Sequence, residues 1–235
     1  MTRICTICAR GGSKGVKNKN LRQLLGKPLI AHSILQAKAS GLFDVIAVSS
    51  DNDNILQIAE EHGVDYVIKR PKELATDTAA KLPVIQHCIE QVEQRSSLRF
   101  TTLVDIDATS PLRTVDDLRF AVLMFEKHDE ATNLITATPS RRSPYFNLVE
   151  ENKNGYVLLS KSLDTPLVRR QDAPKTYDMN ASIYIWKREA FYDTPSVFTD
   201  KTILYVMPEE RSHDIDSELD FEIVQFLAEK RGSLL

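Results

Sequence analysis

Two spacings of apolar residues alternate along the chain: short solid runs, and longer stretches in which they recur every three or four positions. Ile4 to Ala9 is a short apolar run bounded by a glycine turn, as a buried strand should be. Leu29, Ile30, Ile34, Leu35 and Ala39 then fall on one helical face, which predicts a helix over Pro28 to Ala39 ending near Gly41. Val45 to Ser49 reads as a strand, followed by the capping cluster Ser50 to Asp53, a helix from Ile55 to His62, and Gly63 at its end. The alternation continues through strand Asp65 to Ile68, helix Lys81 to Gln94, strand Thr102 to Asp105, helix Val115 to Lys127 and strand Asn133 to Thr138. Strand and helix in repeated succession predict an α/β fold, a doubly wound, mostly parallel sheet with helices on both faces. Ligands of such sheets collect beyond the carboxyl ends of the strands.

The pattern lapses between Pro139 and Tyr177, where Pro, Arg and Asn separate short mixed segments, and resumes with strand Ser182 to Trp186. A stretch this long without regular elements is uncommon inside a domain unless it has a function. The expected division is therefore a core of residues 1–138 and 178–235, with 139–177 as a small inserted lobe, β-rich and in contact with a second copy. Strand Thr202 to Met207 and a helix from Glu218 to Lys230 close the chain.

A length of 235 residues allows one substantial core. With 30 Lys and Arg against 33 Asp and Glu, the net charge of −3 gives no general footprint for nucleic acid, so any basic site has to be local. Cys5, Cys8 and Cys88 read as small buried hydrophobes, since the first two point to opposite faces of one strand. With neither a signal-like N-terminal run nor about 18 consecutive apolar residues, the chain is expected to be soluble and cytoplasmic, away from membranes.

Chemistry enters directly after the first strand. Gly11, Gly12 and Gly15 lie among Arg10, Lys14, Lys17 and Lys19, a loop able to turn its N–H groups toward a polyphosphate inside a ring of positive charge. It has neither the Walker spacing nor G-x-G-x-x-G, and a solvated basic turn has the same composition. Far along the chain, Asp214 and Asp216 share one face of an extended segment while Ile215 turns inward. Two hard oxygen donors suit Mg²⁺, which takes one or two carboxylates and completes its octahedron with phosphate and water. Helix capping is the alternative, and for Glu218 and Asp220 the better one. A basic loop and a paired-carboxylate cation site together indicate nucleotidyl or phosphoryl transfer.

Five ordered motifs sharpen this: Ala9-Arg-Gly-Gly-Ser-Lys-Gly15 with Lys19-Asn20, Lys69 to Ala79, Thr109-Ser-Pro-Leu-Arg113, Arg170 to Tyr177 with Asn180, and Asp214-Ile-Asp216. Through them nearly the whole chain resembles the CMP-nonulosonate synthetases, the acylneuraminate cytidylyltransferase group. The resemblance implies a Rossmann-like nucleotidyltransferase fold and a homodimer that uses CTP and Mg²⁺ to convert a nonulosonic acid into its CMP-sugar and pyrophosphate. It also implies site residues. Arg10, Gly11, Ser13, Lys14, Lys19, Asn20 and Arg70 would bind the nucleotide, with Arg10, Lys19 and Asp216 catalytic and Asp214 and Asp216 holding the metal. Asp107, Thr109, Ser110, Arg170, Gln171, Tyr177 and Asn180 would meet the sugar. Asp107 stands where sialate enzymes commonly have Gln, and Lys81 where they often have Ser; Asp178 and Ala181 also depart from their pattern. An acceptor-only carboxylate at 107 favours a sugar presenting N–H or O–H donors. The stretches Asp105 to Arg113, Tyr177 to Tyr184 and Arg141 to Val149 most resemble the legionaminic branch, with N-acetylneuraminate, pseudaminate and Kdo as other sugars, and a catalytically silent nucleotide-binding protein as a reading from another class.

Overall fold

A computed structural model describes residues 1–163, 165 and 169–235, and the side chain of Arg170 lies outside the described set. In chain order the elements are β1 (Arg3–Cys8), β2 (Gln23–Leu24), β3 (Lys27–Pro28), α1 (Leu29–Ser40), β4 (Val45–Ser50), α2 (Asp53–Glu61), β5 (Tyr66–Lys69) and α3 (Lys81–Ser96). There follow β6 (Thr102–Ile106), α4 (Val115–Glu126), β7 (Asn133–Pro139), β8 (Val149–Glu151), β9 (Val157–Leu159), β10 (Tyr177–Lys187), α5 (Arg188–Asp193), β11 (Thr202–Val206) and α6 (Glu218–Arg231). The long periodic segments fold as the sequence predicts. The β2–β3 hairpin, β8, β9 and α5 are too short to display a period.

Seven strands form the main sheet in the order β11-β7-β10-β6-β1-β4-β5. All neighbours run parallel except β10, which is antiparallel to both β6 and β7. The reversal follows from its connection. The parallel pairs β1–β4 and β4–β5 are joined by the crossover helices α1 and α2, whereas no helix of that kind separates β7 from its antiparallel neighbour β10 among the described residues. β1 pairs with β4 on one side and β6 on the other, so successive crossovers leave in opposite directions and a cleft opens beyond Cys8 and Ile106.

Apolar layers cover both faces. Ile7, Ile34, Val48, Leu118 and Phe125 pack on one, and Ile4, Ile85, Ile89, Leu103 and Trp186 on the other. A third cluster joins Val16, Leu24, Leu29, Leu112, Ile215, Phe221 and Val224. It binds the middle of the glycine-rich loop to the start of α6. Cys5, Cys8 and Cys88 are free; burial holds the Cys5 thiol well above its ordinary pKa.

Between β7 and β10, β8 and β9 form an exposed hairpin turning at Gly155, whose φ of 81° suits glycine. Val149, Tyr156, Val157 and Leu158 on it are all more than half exposed. Among the described residues no helix is long and apolar enough to cross a membrane.

Candidate active site

Val16 is an apolar residue in a basic loop, and it explains where the loop goes. It is fully buried in the same cluster as Ile215, so the loop and the acidic segment are drawn together by packing. Polar contacts complete the join. Lys19 Nζ lies 3.2 Å from Asp216 Oδ1 and also donates to the Ile215 carbonyl. Arg22 pairs with Glu218 and stacks its guanidinium 3.7 Å from the centre of the Phe221 ring. The approach is closest at Gly15, where an added Cβ would lie 1.8 Å from the Asp216 carbonyl oxygen.

The loop glycines therefore serve close approach. Neither Gly11, Gly12 nor Gly15 has a positive φ; the left-handed residue of the loop is Asn18, at φ 53°. A Cβ on Gly11 would meet Asn52 at 2.7 Å. Its N–H donates to Asp51 Oδ1 at 2.8 Å. Ser13 is half-buried in the loop. Asn20 is 6% exposed, and its Nδ2 donates to the Arg10 carbonyl at 3.0 Å. Its buried Oδ1 has no partner among the described residues, an acceptor that a ribose hydroxyl would satisfy. Arg70, also 6% exposed, donates from Nη2 to the Ser49 carbonyl at 2.8 Å at the end of β4.

Asp214 and Asp216 stand at the opposite wall. Ile215 is fully buried between them and its N–H donates to the Thr109 carbonyl at 3.0 Å, which fixes the extended segment. Asp216 is exposed. Asp214 is half-buried, and burial together with the charges of Asp216, Asp107 and Asp220 pushes its carboxyl above the ordinary value. A divalent cation would relieve that repulsion, and two carboxylates match the hard donor set of Mg²⁺. Among the described residues no cluster of three or more His, Cys, Asp or Glu forms a larger cage. Asp220 belongs to α6, where it makes a reciprocal capping box with Ser217.

Asp107 is committed to neighbours. Its Oδ1 accepts from Thr109 N at 3.0 Å and Thr109 Oγ1 at 2.9 Å, and Oδ2 accepts from Lys81 Nζ at 3.1 Å. Lys81 also lies 3.0 Å from Asp105 Oδ2 and 4.4 Å from the centre of the Tyr184 ring. Burial disfavours both charges, but the pairing outweighs it. The carboxyl of Asp107 is held down to about 2 by Lys81 and Thr109, and the Lys81 ammonium is held above its ordinary value by Asp105 and Asp107. Asp107 is thus half of an ammonium–carboxylate pair, where the sequence suggested a lone acceptor. Beneath it Arg113, fully buried, ties the turn together by donating to the carbonyls of Asp107 and Ser110 and to Ser33 Oγ.

Two further predicted residues hydrogen-bond the backbone and side chains around them. Ser110 is fully buried and donates to the Asn180 carbonyl at 3.2 Å. Asn180, 3% exposed, accepts from Thr136 at 2.7 Å and donates to Ser212 at 3.0 Å, holding the irregular turn of β10 where Ala181 adopts φ 51°. Gln171 and Tyr177 line a cavity of about 380 Å³ that shares Pro139 with a smaller one reaching Asp214 and Asp178. Asp178 accepts from Ser140 Oγ at 2.7 Å. The side chain of Arg170 lies outside the described residues. Sequence reasoning missed Asp77, which pairs with Arg10 and Lys14, and the Lys81–Asp105 contact. Nothing in the local sequence signals such long-range partners.

A family profile described as Cytidylyltransferase matches residues 4–227. A protein of Campylobacter jejuni named CMP-N,N'-diacetyllegionaminic acid synthase is 50% identical over 224 residues, spanning 95% of this chain and 94% of its own. Post-translational flagellin modification protein B of Campylobacter coli is 48% identical over 229 residues, spanning 97% of this chain and 96% of its own. Among solved structures, a CMP:2-keto-3-deoxy-manno-octonic acid synthetase in complex with CTP superposes with a TM-score of 0.68 over 98% of this chain and 100% of that chain. At 14% identity, this likeness concerns the fold.

Proposed function

The chain belongs to the cytidylyltransferase family, and on that footing we propose that it activates a nonulosonic acid, N,N'-diacetyllegionaminic acid, as its CMP-sugar. The sugar's anomeric hydroxyl oxygen attacks the α-phosphorus of CTP, the bond to the bridging oxygen of the β-phosphate breaks, pyrophosphate leaves, and the hydroxyl proton passes to solvent water. The observation that carries the reading is the contact of Gly15 with the Asp216 carbonyl, which sets the basic loop against the carboxylate pair.

Arg10, Lys14 and Lys19 bind the phosphates, with Arg10 and Lys19 countering the charge that grows on the leaving group. Asn20 offers its unpaired Oδ1 to the ribose, and Arg70 lies beside the cytosine end. Asp214 and Asp216 would hold Mg²⁺, which supplies Lewis-acid polarisation of the α-phosphate and lowers the pKa of the attacking hydroxyl. The Lys81–Asp107 pair and Thr109 face the sugar, and the cavities from Asp214 to Gln171 and Tyr177 give its substituents room. Arg170 is proposed to reach the sugar carboxylate, for which its planar fork is suited. Residues 139–177 join two copies into a cytoplasmic homodimer; the exposed apolar hairpin supports this role.

Nucleotide choice and the cation site are tested together. CTP is expected to be used in preference to ATP, GTP and UTP. Asp216→Asn is expected to lower kcat at least about 100-fold, yet to shift stability by no more than about 0.5 kcal/mol because the side chain is 79% exposed. Near-normal Mg²⁺-dependent turnover by this variant, with an unchanged melting temperature, would remove Asp216 from the mechanism.

A further inference from the structure

The segment from Lys69 to Lys81 crosses the cleft as a strap fixed at both ends. At one end Arg70 is buried against Ser49, and at the other Lys81 is held between Asp105 and Asp107. Between these anchors Thr76, Asp77 and Thr78 are exposed and belong to neither helix nor strand. From this stretch Asp77 reaches back to the glycine-rich loop. Its Oδ1 accepts from Arg10 Nη1 at 2.6 Å, and its Oδ2 pairs with Lys14 Nζ at 2.6 Å. One carboxylate thus occupies two cations suited to bind phosphate oxygens.

We propose that Asp77 is an internal counter-anion of the phosphate site: it pairs with Arg10 and Lys14 in the empty site, yields them to the entering triphosphate, and competes for them again as pyrophosphate departs. The inference rests on the reading of the loop as the phosphate site. A single carboxylate is a weaker partner than a polyphosphate carrying several charges, so the exchange favours the substrate. Ion pairs this exposed contribute little and are readily screened, which suits a contact broken in every turnover. The anchors at Arg70 and Lys81 do not involve Asp77, so its two ion pairs can break while both anchors stay in place. Asp77 acts through Arg10 and Lys14, so its effect is on the occupancy of the phosphate site and on product release.

The test is calorimetric titration of the full chain with inorganic pyrophosphate at fixed Mg²⁺, comparing wild type with Asp77→Asn and with Glu73→Gln, which removes another exposed carboxylate of the same strap. Asp77→Asn is expected to bind pyrophosphate about three- to tenfold more tightly, the range that two weak pairs allow. CMP, which carries no β- or γ-phosphate, should change less than about twofold, and Glu73→Gln should match wild type. Unchanged or weaker pyrophosphate binding by Asp77→Asn overturns the proposal, as does no binding by either form or an equal gain in Glu73→Gln. A wild-type chain that binds pyrophosphate but not CTP would refute the nucleotide reading while leaving the Asp77 comparison intact.

Discussion

Gly15→Ala is expected to lower kcat/KM at least about 100-fold and to destabilise the fold by about 2 kcal/mol. The new Cβ would lie 1.8 Å from the Asp216 carbonyl oxygen and 3.0 Å from its carbon, and both obstacles are backbone. Relief by local movement is blocked, because Val16 beside it and Ile215 opposite are fully buried in one apolar cluster. The loop and the acidic segment must therefore separate, carrying Arg10 and Lys19 away from Asp216. Misplacement of reacting groups by about 1 Å is enough for such a loss. Gly12→Ala is the stability control, since nothing lies within 4 Å of its Cβ position. A thermal melt of both variants with pyrophosphate-release assays of Gly15→Ala checks the expectation; a fully active, stable Gly15→Ala would show that the two segments need not touch.

Lys81→Met should cost about 3–5 kcal/mol at neutral pH, the range for leaving a buried charge without its partner. Asp105 is 1% exposed, so its carboxylate cannot turn to water for compensation, and Asp107, at 24%, can do so only in part. The pH dependence gives a more specific signature. Because the folded pKa of Asp107, about 2, lies below the ordinary carboxylate value of about 3.9, its pairing stabilises the fold fully above that ordinary value. The contribution is lost as pH falls through the folded pKa. The gap between wild type and Lys81→Met is therefore expected to narrow from about pH 4 to pH 2. Urea denaturation across that window measures it, and a gap independent of pH would mean that Lys81 acts through packing alone.

Both expectations rest on contacts of different legibility. The long helices and buried strands were readable because each repeats its apolar period over enough residues to identify it. The basic loop and Asp214-Ile-Asp216 were readable because their chemistry is concentrated locally. The direction of β10 depends on a connection lacking regular alternation, and the β8–β9 hairpin has only three residues per strand. The loop glycines looked like sites of backbone freedom, yet Gly11 and Gly15 answer to Asn52 and Asp216, residues about 40 and 200 positions away. Val16 was the overlooked clue: an apolar side chain inside a charged loop has to be buried somewhere. Ser110 and Asn180 show that polar residues in a motif also hold its local structure, through bonds that the sequence does not reveal.

On the proposed reading, substrate choice lies beyond the loop, at Lys81, Asp107 and the cavities leading toward Tyr177. The most direct measurement is pyrophosphate release from CTP and Mg²⁺ with N,N'-diacetyllegionaminic acid, N-acetylneuraminic acid, pseudaminic acid and Kdo supplied separately. The proposed function predicts release that depends on the sugar acid and is fastest, in kcat/KM, with N,N'-diacetyllegionaminic acid. Release with none of the four acids would contradict the account.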